Sequence, residues 1–495
     1  MDRGVVITAG RPRAGRRVRT VVPALAGYDL LLAALLGLMA AARLWLVPGY
    51  FRADTWLALT AGRDVWTSGI PHHETLTALA GGDRWVDQQW LAHLATYGLY
   101  RLGGFGLIGA LSVVLAAGAF AGVTLAARRW GARARTLLLL MPITAFPFFA
   151  QSWQPRTQMF AYPLFAAVFL LLLRDARHKP GRVWLVLPLL VVWANLHGSA
   201  ALGAVMISLR GVLLLWERRR ERVWMALALT LLPPLLLLVT PYGIGTARYY
   251  ADTLLNGSFR QLATEWQPVT HDPVELAPFV ALVALSAWTW LRARHETSLW
   301  ERLAFVVLLA AAATSVRNMV WLTLGALPVL AVAAERFVPA DPPPTALSAR
   351  VNGALAVVAA AALTISVGVA FARPASAFER DYPKRYLDAV KQAAAIDRDA
   401  RIVADVGDAD WLLWRAPALR GRIAFDARLE LLSASGVHDI ASVLRGHPGT
   451  ALASGSRIFA LDPRTAGATL RRLEAIPGHR TLLDDGRRVV VLIRR

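Results

Sequence analysis

What most constrains this chain is the alternation in what separates its long apolar runs. Arginine clusters fill every second interval, and short polar knots built on Arg156, His197 and Arg317 fill others. Cytoplasmic loops of membrane proteins collect Lys and Arg, so this alternation predicts both a multi-spanning helical topology and its orientation. It also leaves costly polar groups at or below the membrane surface on the opposite side, where such groups mark a substrate path or an active site.

Composition supports this reading. The chain has 495 residues and is 56% hydrophobic, too apolar for a soluble fold of its size. The formal net charge of +21 does not point to nucleic acid. Much of the excess sits in short loops beside apolar runs, at residues 11–19, 128–135, 174–182 and 218–222, and no basic stripe with interleaved aromatics accompanies it. The absence of cysteine excludes disulfides, thiolate metal sites and thiol catalysis.

Eleven apolar runs qualify as spans: 22–47, 104–127, 136–150, 158–173, 183–196, 199–216, 223–240, 274–291, 303–316, 318–334 and 351–372. The basic stretch 1–21 reads as the cytoplasmic start of an uncleaved first helix, since no small-residue cleavage site stands out before Pro48. With that end inside, segments 48–103 and 241–273 and the C-terminal part, 373–495, fall outside the cytoplasmic membrane. Three runs, 136–150, 183–196 and 303–316, are short against a hydrocarbon core of ~30 Å. Each ends at a polar turn on the outer side, at 151–158, 193–199 and 314–318. Irregular backbone at membrane depth needs protein or a wet cavity around it, so the turns predict an outward-facing crevice. The alternative is three ordinary hairpins with interfacial tips.

Segment 48–103 is patterned rather than a plain loop. Trp56, Leu59 and Trp66 fall near helical spacing, as in an interfacial amphipathic helix, and a second helix runs through 87–97. Past residue 373 the composition shifts. About 120 residues without a further span mix a helix-like piece (386–395) with strand-like ones (401–406, 422–426, 457–461, 488–493), enough for a small α/β domain.

Several residues are candidates for chemistry. Asp54 opens the first outer helix, either as a reactive carboxylate or as a cap favoured by the helix dipole. His72, His73, Glu74 and Asp87 share its segment and can join it around Mg2+, Mn2+ or Zn2+, although the spacing matches no standard motif and surface histidines explain it as well. Arg156 and Arg317 end short apolar hairpins and cannot shed their charge. A phosphate or a buried carboxylate offsets such a charge, and snorkelling to the interface is the alternative. His197, between Asn195 and Gly198, lies in a tight turn with polar groups directed inward, where a satisfied structural histidine is the competing reading. Glu265 beside Trp266 pairs an acid with a platform for a sugar ring, or marks an interfacial anchor.

At these residues the chain resembles a bacterial family of multi-spanning proteins related to the GT-C superfamily of membrane glycosyltransferases. The resemblance rests on Asp54-Thr55-Trp56, Gly62, Gly69-Ile70-Pro71, Trp85 through Leu91, and Pro155-Arg156-Thr157-Gln158. It continues through Trp193 to Gly198, Pro241-Tyr242-Gly243, Glu265-Trp266, Arg317, Asp410 to Trp414 and Phe425 to Glu430. It implies a GT-C-like helical domain over 22–372, an extracytoplasmic α/β domain over 373–495, and a polyprenyl-phosphate-linked sugar donor. Asp54 then corresponds to the first-loop acid that acts as base or metal partner, with Mg2+ or Mn2+ as the cation. Arg156 and Arg317 correspond to the basic groups holding the lipid phosphate, and Gln88, Gln89, Gln158, His197, Glu265 and Trp266 to substrate contacts. The chain departs from the pattern in carrying Gln88-Gln89 where relatives have His-Glu, and Glu74 where an Asp is usual. The expectation is a glycosyltransferase acting on the outer face toward a lipid, glycan or protein acceptor. The alternative is a transporter or a non-catalytic protein handling lipid-linked glycans, including a degenerate relative. Against a transporter, no internal repeat is visible and the polar positions gather on one side.

Overall fold

The computed structural model describes residues 27–178, 181–218, 220–255, 262–340 and 345–494. The basic N-terminal stretch and the first residues of the first expected span lie outside them. Each of the eleven expected spans corresponds to a helix. These are α1 (Tyr28–Leu46), α3 (Trp90–Arg129), α4 (Ala134–Gln151), α5 (Ala161–Ala176), α6 (Val186–Leu196), α7 (Ala200–Trp216), α8 (Val223–Leu236), α10 (Pro273–Arg292), α11 (Leu299–Thr314), α12 (Met319–Ala334) and α13 (Ala346–Ala372). Among the described residues, 7 helical stretches are long and apolar enough to cross a membrane. The 11 residues of α6 rise only ~16 Å, and that helix ends at the His197 turn well short of a full crossing.

α12 is the hub. Nearly every residue from Met319 to Ala334 is buried, which explains a run apolar on all faces. α13 is the opposite case. It buries only Asn352, Ala359, Ser366 and Ala370, a stripe that packs on α1, where the Ala359 methyl approaches Gly37. The rest of its surface is apolar and exposed, as a helix bordered by lipid tails should be.

Before the C-terminal part, two α-helices among the described residues lie outside the spans: α2 (Ala53–Ser68) and α9 (Gly245–Leu255). α3 comprises the helix expected over 87–97 and the second span, separated by non-helical backbone at Gly103 and Gly104. Gly104 has φ 63°, a conformation in which a side chain is strained. α2 packs on the first turns of α3 through Gly62, where an added methyl would lie 2.1 Å from the His93 carbonyl oxygen.

The C-terminal part is an α/β unit. Its helices are α14 (Ala375–Phe378), α15 (Lys384–Ile396), α16 (Val406–Arg415), α17 (Ala434–Leu444), α18 (Gly449–Ala453) and α19 (Pro463–Glu474). Its strands are β1 (Arg401–Ala404), β2 (Ser456–Leu461), β3 (His479–Asp484) and β4 (Val489–Ile493), in the order β1-β2-β4-β3. β1 and β2 pair parallel, whereas β4 pairs antiparallel with both β2 and β3. Every residue of β4 is buried, as expected for a strand covered on both faces. β3 was not foreseen, because it is an edge strand whose first residues are exposed and carry no apolar alternation. The strand expected at 422–426 does not form as such. The backbone there serves as a seam: Ile402 N–H donates to Arg422 O and Ala424 N–H to Ile402 O, both at 2.8 Å, while Ala78 N–H donates to Ile423 O at 2.7 Å.

That seam ties the α/β unit to segment 48–103. Arg63 on α2 donates to the Leu413 and Trp414 carbonyls at 3.3 and 3.2 Å and lies 4.8 Å over the Trp414 ring. One apolar core runs from Phe51, Trp56 and Phe105 through Phe378 and Tyr382 to Trp411, Ile402 and Val490. The α/β unit and the first outer segment therefore fold as one body on one face of the bundle. Gly62→Ala is expected to lower the unfolding temperature in detergent by an amount equivalent to ~1–3 kcal/mol of overpacking. Gly98→Ala on α3, where an added methyl meets nothing within 4 Å, should be neutral or stabilising in the same melt.

Candidate functional site

Three turns and one loop converge under the α/β unit. The turn after α4 is pinned at both ends: Arg43 on α1 donates to Ser152 Oγ, and Thr55 on α2 donates to Pro155 O at 2.9 Å. Arg156 follows with extended backbone and is only 5% exposed. The loop carrying Glu265 is stitched to the turn after α11, since Ser315 Oγ donates to Glu265 O and Val316 N–H to Gln267 O, both at 3.0 Å. That stitching sets Arg317 beside Glu265.

The result is a chain of charges. Arg156 Nη1 donates to Glu265 Oε2 at 2.5 Å and to Asp54 Oδ2 at 3.4 Å. Arg317 Nη1 contacts Glu265 Oε1 at 3.1 Å, and its guanidinium lies 4.5 Å over the Trp266 ring. Asp54 lies in the first turn of α2, with its carboxylate directed at Arg156, and Arg156 is itself buried.

Asp54 and Glu265 border a cavity of about 700 Å3, lined also by Gln88, Gln89, Arg156, Gln158, His197, Trp266 and Arg317. Asp54, both arginines and all six expected substrate contacts thus meet at one hollow, and the three turns are not separate hairpin tips. The amides are placed by the fold. Gln88 Nε2 donates to Ala194 O at 2.6 Å, and Gln89 Oε1 accepts from Thr157 Oγ1. Gln158 is buried with neither amide atom hydrogen-bonded among the described residues. His197 Nδ1 accepts from Ser199 N–H at 3.1 Å, leaving Nε2 to carry the proton. Burial first, then Arg317 and Arg156, push this imidazole well below its ordinary range, so it is neutral.

The two carboxylates differ. Burial would raise Glu265, but Arg156 and Arg317 pull it down to about 2, making it the permanent counter-ion of the arginines. Burial raises Asp54, Glu265 adds to that, and the more distant arginines only partly oppose it. One acid is locked as an anion and its neighbour is poised to take a proton.

The expected metal ligands are not brought together. Glu74 accepts from Leu76 N–H at 2.6 Å, from Thr77 N–H at 2.7 Å and from Arg428 at 2.9 Å. Asp87 holds His93 Nδ1 at 3.0 Å, His73 Nδ1 lies 3.2 Å from Gly82 O, and His72 packs edge-on to Tyr242. Among the described residues no group of three or more His, Asp or Glu is arranged to hold an ion. These side chains do not fit one cation, because the fold gives each of them a different partner.

The sequence did not single out the roof. Arg428 is gripped by Glu74 and Asp426 and lies 4.4 Å over Trp85. It borders the cavity with Glu430, which burial pushes up to about 7. The Phe425 to Glu430 motif was a visible signal for both. Tyr249 and Tyr250 on α9 also line the cavity, and nothing in the local pattern announced them.

The sequence matches no family model and no curated protein. The fold does have relatives. ArnT from Cupriavidus metallidurans, solved bound to undecaprenyl phosphate, superposes with a TM-score of 0.50 at 16% identity, over 92% of this chain and 97% of that one. The oligosaccharyltransferase of Archaeoglobus fulgidus, solved in the apo form, gives a TM-score of 0.50 at 12% identity, over 88% of this chain and 70% of that one. The chain therefore has a GT-C-like fold and is a multi-pass helical membrane protein.

Glu265 ionises more readily in the folded protein than in the unfolded chain. It contributes stability above its ordinary 4.5, and that contribution is lost as pH falls towards about 2. Glu265→Gln is expected to melt below the parent at neutral pH, with the gap closing across that acidic window when both are followed by circular dichroism.

Proposed function

We propose that this protein is an integral-membrane glycosyltransferase that takes a sugar from a polyprenyl-phosphate-linked donor and passes it to a hydroxyl-bearing lipid, glycan or protein. The observation that carries this is the meeting of Asp54 with Arg156, Glu265 and Arg317 on one hollow under the α/β unit. The arginine distribution along the sequence supports an orientation with that face outside the cytoplasmic membrane and the N-terminus inside. The ArnT likeness, with its bound undecaprenyl phosphate, supports a polyprenyl phosphate partner.

In this reading the acceptor oxygen attacks the anomeric carbon while the bond from that carbon to the phosphate oxygen breaks. Asp54, held above the usual carboxylate range, takes the acceptor proton. The bonding pair stays on the departing phosphate, whose growing charge is met by Arg156 and Arg317. Neutral His197 offers Nε2–H, and Gln158 offers an unengaged amide, as hydrogen-bond groups for sugar hydroxyls. No step is assigned to a metal ion, since the ligand set does not gather.

A non-catalytic lipid-phosphate binder is the second reading, favoured by Gln88 and Gln89, two amides that neither titrate nor serve as proton donors of adjustable strength. The test is release of polyprenyl phosphate from a panel of polyprenyl-phosphate sugars in membranes. Asp54→Asn should lower release about 10²–10⁴-fold, the usual worth of a general base, while undecaprenyl phosphate still binds. The parent should lose activity as pH drops through an Asp54 transition above its ordinary 3.8. Full activity in Asp54→Asn would remove the base. Binding without turnover of any donor by the parent would favour the second reading.

A further inference from the structure

The ion-paired set at the centre of the cavity has two carboxylates, Asp54 and Glu265, facing two guanidiniums, Arg156 and Arg317, and Arg52, Arg428, Asp87 and Glu430 add two groups of each sign to the lining. A neutral set has little net pull on an anion, because a phosphate must compete with Glu265 for the same N–H groups. A third arginine stands behind this set. Arg43 lies in the last turn of α1 and is 1% exposed. It forms no ion pair among the described residues. Its Nη1 donates to Ser152 Oγ, while Nε and Nη2 have no hydrogen-bond partner among those residues.

Its location connects it to the site. Ser152 belongs to the same turn that ends in Arg156. Through Ser152, Arg43 is thus tied to the turn that carries Arg156 into the wall of the cavity.

A structural role alone does not account for an arginine here. Holding Ser152 needs one donor, which a neutral amide supplies without burying a charge. A guanidinium does not deprotonate, and an unpaired one in the interior costs several kcal/mol, so a compensating anion must enter its field. Buried charges are also little screened by salt, and their field reaches neighbouring layers.

Resting on the reading above, we propose that Arg43 is a positioning residue for an anionic lipid headgroup. Its fixed charge adds a cation behind the ion-paired set and favours a polyprenyl phosphate over the corresponding neutral lipid. The same surplus charge is in place when the glycosidic bond breaks and the phosphate gains negative charge.

The test compares undecaprenyl phosphate with undecaprenol as ligands of the full-length purified protein. Arg43→Gln keeps a donor for Ser152 and removes the charge. It is expected to weaken undecaprenyl phosphate binding by about tenfold, as for one charge acting across roughly 10 Å at an effective dielectric of about 20, and to leave undecaprenol binding unchanged. Arg43→Lys should stay within about threefold of the parent for both lipids. Ser152→Ala, which drops the hydrogen bond and keeps the charge, should also preserve the preference. If Arg43→Gln does not fold, Arg43→Met supplies the uncharged comparison. Normal discrimination by the uncharged variant, or equal loss for both lipids, overturns this proposal alone. A parent protein that does not prefer the phosphate to the alcohol overturns the functional reading and this inference together.

Discussion

The architecture of the site depends on the burial of Arg156. A guanidinium held 5% exposed at the end of a membrane helix is tolerable only if anionic partners come to it. Glu265 and Asp54 do so from segments more than 100 residues away in opposite directions along the chain. Meeting them requires α2 to lie against the turn after α4, and the 262–268 loop to be stitched to the turn after α11. The same contacts separate the two carboxylates chemically, since Glu265 takes the short bond and both arginines while Asp54 keeps a longer one. The hollow is therefore a consequence of how one buried cation is satisfied.

The α/β unit repeats that logic at the roof. Arg428 is buried between Glu74 of the first outer segment and Asp426 of its own unit, so a single ion cluster spans the two. Around it the aromatic core from Trp56 to Trp411 and the backbone seam at Ile423 leave no separable boundary. Trp266 belongs to both worlds: it stacks on Arg317 and packs against the core of the α/β unit.

Much of the helical framework was legible along the chain, because an apolar run interrupted by arginines has few other solutions in a bilayer. Gly103-Gly104 was readable as a boundary, and the structure keeps it: both glycines have non-helical backbone, which separates the first part of α3 from the second span. β3 escaped because an exposed edge strand carries no apolar alternation, and 422–426 misled because its apolar residues serve a seam between units. Arg156, Arg317 and His197 stood out as polar groups that a membrane makes costly. The quartet of His72, His73, Glu74 and Asp87 stood out for its residue types alone, and the fold disperses it: Glu74 turns to Arg428 and Asp87 to His93.

By itself the sequence determined that the chain is a multi-pass helical membrane protein and marked the polar turns between its apolar runs, since both follow from transfer energies summed over local runs. Which acid meets which base was decided only by tertiary structure. Asp54 faces Arg156, Glu265 takes both arginines, and Arg43 is left without a carboxylate among the described residues, because ion pairing depends on ångström-scale distances between segments that the chain order does not encode.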